Sequence, residues 1–167
     1  MNESNELKTP AYHEYDSRLA AYVLLLRDGA DGEEELLLAL WNNRGERRWT
    51  LPGGGVELHE TPAEGAIREV REESGYEVEL SGVLEVDTFV IASHERQAPV
   101  DRALRAIRVL YAGRIVGGEL TPEVDGSTDE ARWFGLSKID ALPRVSLVDV
   151  ALRVLNQLRR SGVKATQ

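Results

Sequence analysis

Hydrophobic positions fall into strand-length and helix-length runs separated by turn residues. Residues 17–27 are dense in Leu, Val and Tyr, which predicts a buried strand. Residues 28–34 (Asp-Gly-Ala-Asp-Gly-Glu-Glu) carry turn chemistry, and 35–41 predict the return strand. Residues 42–48 are expected as a polar loop with three arginines. A short strand, Trp49-Thr50-Leu51, ends at Pro52 and three glycines. The strongest helix signal follows. Thr61 suits the N-cap, Pro62 the first helical position, and Glu64 completes a capping box. Ala63, Ala66, Ile67 and Val70 recur on one face, and Gly75 is a fitting stop.

Residues 77–92 predict strand interrupted at Ser81-Gly82, and 104–116 a second long strand ended by Gly117-Gly118. The polar stretch 93–101 lies between them. An acidic loop at 119–129 precedes a short strand at 131–134 and a helical turn at Leu136–Ala141. Ser146–Arg160 predicts a second full helix, with Leu147, Val150, Ala151, Val154, Leu155 and Leu158 on one side. Strands and helices mix without a regular βαβ rhythm. That predicts an α/β or α+β fold, with a mixed sheet and helices on both faces. The 167 residues suit one core. The expected division is a flexible arm at 1–16, one domain at 17–162 and a tail at 163–167.

Composition narrows the function. No apolar run approaches the roughly 20 residues needed to span a bilayer. The polar first residues lack the apolar core of a signal peptide, so a cytoplasmic location and no membrane partner are expected. The absence of cysteine excludes disulfides and thiolate metal sites. The net charge of -9 argues against a nucleic-acid partner, which needs a basic face. It does not argue against an anionic small molecule, because bound cations reverse the local sign.

The chemistry concentrates between Gly54 and Tyr76. Glu69, Glu72 and Glu73 stand at positions i, i+3 and i+4, which share a helical face. Such like-charge spacing costs a helix a few tenths of a kcal/mol per pair, roughly, and Arg68 and Arg71 offset part of it. Clustered carboxylate oxygens suit a hard divalent cation, which commonly takes carboxylates together with substrate phosphates. Directly upstream, Leu51-Pro52-Gly53-Gly54-Gly55 lets backbone approach a ligand closely. A strand, a glycine loop and an acidic helix in succession are more specific than any one of them alone.

Gly54, five residues, Glu60, seven residues, and then Arg68-Glu69-Val70-Arg71-Glu72-Glu73-Ser74-Gly75-Tyr76 resembles the 23-residue Nudix box. Two positions depart from the pattern: Tyr76 replaces the usual aliphatic residue, and His59 the common glycine before Glu60. The resemblance extends less sharply to the strands at 49–54 and 131–134. It implies an α/β/α sandwich with a mixed β-sheet. It also implies Mg²⁺ or Mn²⁺ held by Glu69, Glu72 and Glu73 with the carbonyl of Gly53, and Glu57 close by. Glu60 and Arg68 would form a structural ion pair. The implied reaction is attack of water on phosphorus in a nucleoside diphosphate linked to another moiety.

Specificity is expected outside the box. Candidate substrate contacts are Arg47, Arg48 and Arg108, then Trp41, Arg44, Phe89, His94, Arg96 and Tyr111, with core packing or plain solvation as the competing role for each. Glu123 and Asp125 are candidates for a general base or a further ligand, and Trp49 and Trp133 are expected in the core. A catalytically silent nucleotide-binding module on the same fold is the alternative, disfavoured by retention of the box acids. An isopentenyl diphosphate isomerase of this fold is disfavoured by the lack of cysteine. The polar arm and long strands, with the resemblance, predict a homodimer.

Overall fold

In the computed structural model, which describes residues 10–43, 45–96, 100–121 and 128–162, four consecutive residues are fully buried: Leu36, Leu37, Leu38 and Ala39. Adjacent strand residues point to opposite faces, so a run buried throughout is covered on both sides. The strands are β1 (Asp16–Leu24), β2 (Leu26–Asp28), β3 (Glu34–Asn43), β4 (Glu46–Thr50), β5 (Gly53–Gly55), β6 (Tyr76–Ile91), β7 (Leu104–Gly118) and β8 (Thr128–Gly135). The helices are α1 (Pro62–Ser74) and α2 (Ser146–Arg160), with short 3-10 turns at Ser93–Glu95 and Leu136–Ala141.

Two sheets result. One runs β5-β1-β7-β6 and is mixed: β1 is antiparallel to β5 and parallel to β7, and β7 is antiparallel to β6. In the other, β3 pairs antiparallel with β2, β4 and β8. Odd positions of the central strands (Ala21, Val23, Leu25, Leu37) pack with Ala66 and Val70 of α1. Even positions (Leu24, Leu36, Leu38, Leu40) pack with Leu147, Val148 and Ala151 of α2. The helices therefore cover opposite faces, as the pattern predicts for an α+β sandwich. Trp49 and Trp133 are both core residues at 8% exposure.

The local signals in α1 are realised. The Thr61 side chain accepts from the Glu64 N–H, the Glu64 carboxylate accepts from the Thr61 N–H, and Gly75 takes a left-handed φ of 74°. Two expectations need correction. The segment 42–48 is largely strand: β3 runs through Asn43, β4 begins at Glu46, and Gly45 turns between them at φ 87°. Ladder pairs such as Trp41 with Arg48 supply the pairing, and arginine stems tolerate a half-exposed strand. In α1 the buried stripe is Gly65, Ala66, Val70, Glu73 and Ser74, whereas Ile67 is 39% exposed. The helix is turned so that an acid enters the interior where a purely apolar face was expected. The interruption at Ser81-Gly82 is a register shift within β6.

Leu38→Ala should cost about 2–5 kcal/mol in chemical denaturation, because that side chain is fully buried between β3 and α2. Leu58→Ala, at a site 90% exposed, should change stability by less than about 0.5 kcal/mol.

Candidate active site

The three glycines of β5 form an edge strand beside β1, with Tyr22 opposite Gly53, Ala21 opposite Gly54 and Ala20 opposite Gly55. Their lack of side chains is a packing requirement. A Cβ at Gly54 would lie 2.8 Å from the Glu69 carboxylate, and one at Gly53 2.3 Å from the Ala21 carbonyl oxygen. Gly53 also holds φ 136°, which side chains disfavour. Helix α1 thereby brings its carboxylates against bare backbone. Glu73 is only 5% exposed, and its Oε2 accepts from the Gly53 N–H at 2.8 Å.

One guanidinium organises the rest. Arg68 donates through Nε to Glu60 Oε2 at 3.1 Å and through Nη2 to Glu60 Oε1 at 2.6 Å. Its Nη1 reaches Glu69 Oε1 and Glu72 Oε2, each at 3.0 Å, and Nη2 also reaches the Gly55 carbonyl at 3.1 Å. Loop, glycine strand and acidic helix are thus tied by one side chain. The Arg68 guanidinium, helped by the Glu57 N–H, holds the Glu60 carboxyl down at about 2. The same carboxylates push the Arg68 pKa up, so it stays charged throughout.

Above β5 opens a cavity of about 590 Å³ between the two sheets, a size that suits a nucleotide-scale ligand. Its lining includes Glu69 and Glu73 at one end, Trp41 and Phe89 on the walls, and Ser146 at the start of α2. Arg48 lines it and pairs with Glu46. Arg108 also lines it, 9% exposed, donating to Asp87 and through Nη1 to Ser146 Oγ at 3.3 Å, with its guanidinium 5.5 Å from the Phe89 ring.

The predicted residues divide accordingly. Glu69, Glu73, Gly53, Trp41, Arg48, Phe89 and Arg108 come together around the cavity. Glu72 is not in its lining and is half exposed, drawn outward to Arg68. Among the described residues, no three acidic or histidine side chains stand close enough to ligate one ion as placed. Arg47 alternates to the strand face opposite Arg48 and is not in the lining. Tyr111 packs against the α1-side core, Arg96 pairs with Asp16, and His59 and Glu57 are exposed. Tyr76 packs on Trp133 and accepts from its indole N–H at 3.2 Å. Arg44, Glu123 and Asp125 lie outside the described residues. Arg18, Tyr22, Thr50 and Ser146 line the cavity without having been singled out. In β1 the alternation of Arg18, Ala20 and Tyr22 was the available signal, hidden by the apolar density of the run.

The sandwich thus carries a glycine strand and a carboxylate-bearing helix beside an inter-sheet cavity. The NUDIX domain model matches residues 16–152, and the chain belongs to this family, on its MutT-like side. It is 31% identical over 150 residues to a Mycobacterium tuberculosis protein named MutT4, covering 84% of this chain but 57% of that one. The chain thus spans little more than half of that relative's length. It is 30% identical over 136 residues to the RNA pyrophosphohydrolase of a Marinomonas species, covering 71% of this chain and 80% of that one. A Nudix hydrolase structure from Nitrosomonas europaea shares the fold at TM-score 0.69 and 20% identity, over 85% of this chain and 90% of that one.

The Glu60–Arg68 pair has a definite pH signature. Glu60 sits at about 2 in the folded chain against an ordinary 4.5, so its stabilisation is fully present above that ordinary value and lost as pH falls through about 2. Glu60→Gln should therefore be less stable than wild type at neutral pH. The gap in unfolding free energy should narrow from about pH 5 downward. A gap that stays constant down to the acid limit would contradict the assigned pairing.

Proposed function

We propose that this protein is a divalent-metal-dependent pyrophosphohydrolase that cleaves a nucleoside diphosphate derivative. The observation that carries the proposal is the placement of Glu69 and Glu73 against the glycine strand, at the end of a cavity of about 590 Å³. The donors fit a hard cation. They are carboxylate and carbonyl oxygens, and the Glu69 carboxylate lies where any side chain at residue 54 would stand. Glu69, Glu73 and the Gly53 carbonyl would hold Mg²⁺ or Mn²⁺, with Glu72 joining on a change of side-chain rotamer. The metal's contribution is to neutralise phosphate charge and acidify water. The chain's own contribution is positional. Arg68 fixes Glu69 and Glu60, and the Gly53 N–H orients Glu73. Trp41 and Phe89 offer faces for a flat group such as a base. Arg48 and Arg108 place positive charge along the walls. The names of the relatives, an RNA pyrophosphohydrolase among them, support the reaction class.

The substrate on this reading is a small nucleotide rather than duplex nucleic acid, because the net charge of -9 opposes a polyanion. A cytoplasmic location rests on composition alone. We also propose a homodimer. Its support is β6, an outer edge strand on which Val83, Val86 and Val90 are 54%, 55% and 63% exposed.

Turnover of a nucleotide panel should vanish in excess chelator and return with Mg²⁺ or Mn²⁺. Glu73→Gln should lower turnover by about a hundredfold or more while costing only about 1 kcal/mol of stability. Glutamine keeps an acceptor for the Gly53 N–H and relieves repulsion with Glu69. Wild-type turnover in that variant would remove Glu73 from the ligand set. Light scattering at micromolar concentration should give twice the chain mass, and a monomer at all concentrations would refute the dimer.

A further inference from the structure

Three arginines line the cavity: Arg18, Arg48 and Arg108. Two are already matched, Arg48 with Glu46 and Arg108 with Asp87. Arg18 pairs with no carboxylate among the described residues. Its guanidinium lies over the bare backbone of β5, where a Cβ on Gly55 would stand 3.1 Å from Nη2 and 3.5 Å from Nε. The missing side chain at Gly55 therefore gives a cation its place beside the glycine strand, with no carboxylate partner among the described residues.

Four residues further along the same face of β1 stands Tyr22, opposite Gly53 in the ladder. Its ring packs on the α2-side core, yet its hydroxyl has no hydrogen-bond partner among the described residues. Tyr22 is half-buried and lines the cavity, and among the described residues no buried side-chain oxygen or nitrogen lacks a partner. Burial pushes the Tyr22 phenol pKa up, and the charges of Arg18, Arg108, Glu73 and Glu69 also act on it. Among the described residues, a hydroxyl without a hydrogen-bond partner and a guanidinium without a carboxylate thus line the same cavity as Glu69 and Glu73.

We propose that Arg18 and Tyr22 form an anion clamp for the phosphoryl group that the carboxylate side of the site does not hold. This rests on the pyrophosphohydrolase reading. A pyrophosphate link carries two phosphoryl groups, and carboxylates with a cation between them serve one. The other needs donors and positive charge supplied by the chain. A guanidinium presents forked N–H groups that match phosphate oxygens, and a phenol adds one directed O–H. Arg18 and Tyr22 are positioned to supply both from one strand face, with the glycine strand between them and α1.

The test uses the whole chain with inorganic pyrophosphate and Mg²⁺ as the probe, titrated by calorimetry. Alongside it, kcat and KM are measured on whichever nucleotide the wild type hydrolyses. Arg18→Gln should weaken pyrophosphate binding by about tenfold or more, and Tyr22→Phe by about threefold to tenfold. Arg18→Lys should recover part of the loss, since it restores charge without the fork. Added salt should weaken wild-type binding more steeply than that of Arg18→Gln. The melting temperatures should stay close to wild type, because Arg18 is exposed and phenylalanine keeps the Tyr22 ring in the core. Equal pyrophosphate affinity in wild type, Arg18→Gln and Tyr22→Phe would overturn the clamp, as would a wild type that does not bind the probe. If nucleotide turnover is intact in Arg18→Gln with KM unchanged, the clamp falls and the enzymatic reading stands. If no nucleotide is hydrolysed by wild type while Arg18→Gln still loses pyrophosphate, the clamp stands and the enzymatic reading falls.

Discussion

The site depends on how its carboxylates are kept together. Three carboxylates, of Glu60, Glu69 and Glu72, meet the single guanidinium of Arg68, which also binds the carbonyl of Gly55. Like charges at helical spacing repel, and the repulsion grows as water is removed. Arg68 offsets it by contact and at the same time ties the loop at Glu60, the strand β5 and the helix α1 into one unit. Glu73 needs a different solution because it is almost fully buried. It accepts from a backbone N–H, and the glycine strand leaves it the space to do so.

That arrangement reconciles two facts that look opposed, a net charge of -9 and a cavity lined by three arginines. Acidity at the α1 end is matched by arginines from β1, β4 and β7, each of which reaches the cavity from a different strand. Two of them are oriented by Glu46 and Asp87. The local field inside the cavity is set by a handful of placed groups and not by the overall charge. The sheets make this possible because they part at the cavity. Residues of one strand face line it, and the alternate residues continue into the core.

Much of this was legible in the chain. The capping box at Thr61 and Glu64, the left-handed stop at Gly75 and the limits of α2 depend on neighbours a few residues away, and local spacing reveals them. The acidic helix was legible for the same reason. The hairpin through Gly45 was not, because its strands carry arginines and glutamate whose pairing partner, not their polarity, makes them strand. The buried stripe of α1 was misplaced by one position in the helical wheel. Ile67 was expected in the apolar stripe and is exposed, while Glu73, expected in the acidic cluster, is buried, because what faces the helix decides both.

The sequence by itself determined most of the elements, the hairpin strands around Gly45 excepted, the presence of helices on both faces and the set of acids at one helical face, because each follows from residue type and a fixed local period. Only the tertiary structure decided which of those acids reach the cavity: Glu69 and Glu73 line it, while Glu72 is turned outward to Arg68. It alone placed Arg48 inside and Arg47 outside, and paired Arg108 with Asp87 across neighbouring strands. It alone brought Arg18 and Tyr22 beside the glycines, through the register of β1 against β5. Register and helix rotation are set by the packing of elements far apart in the chain, and a one-residue shift in a strand would exchange the face that lines the cavity for the face that meets the core.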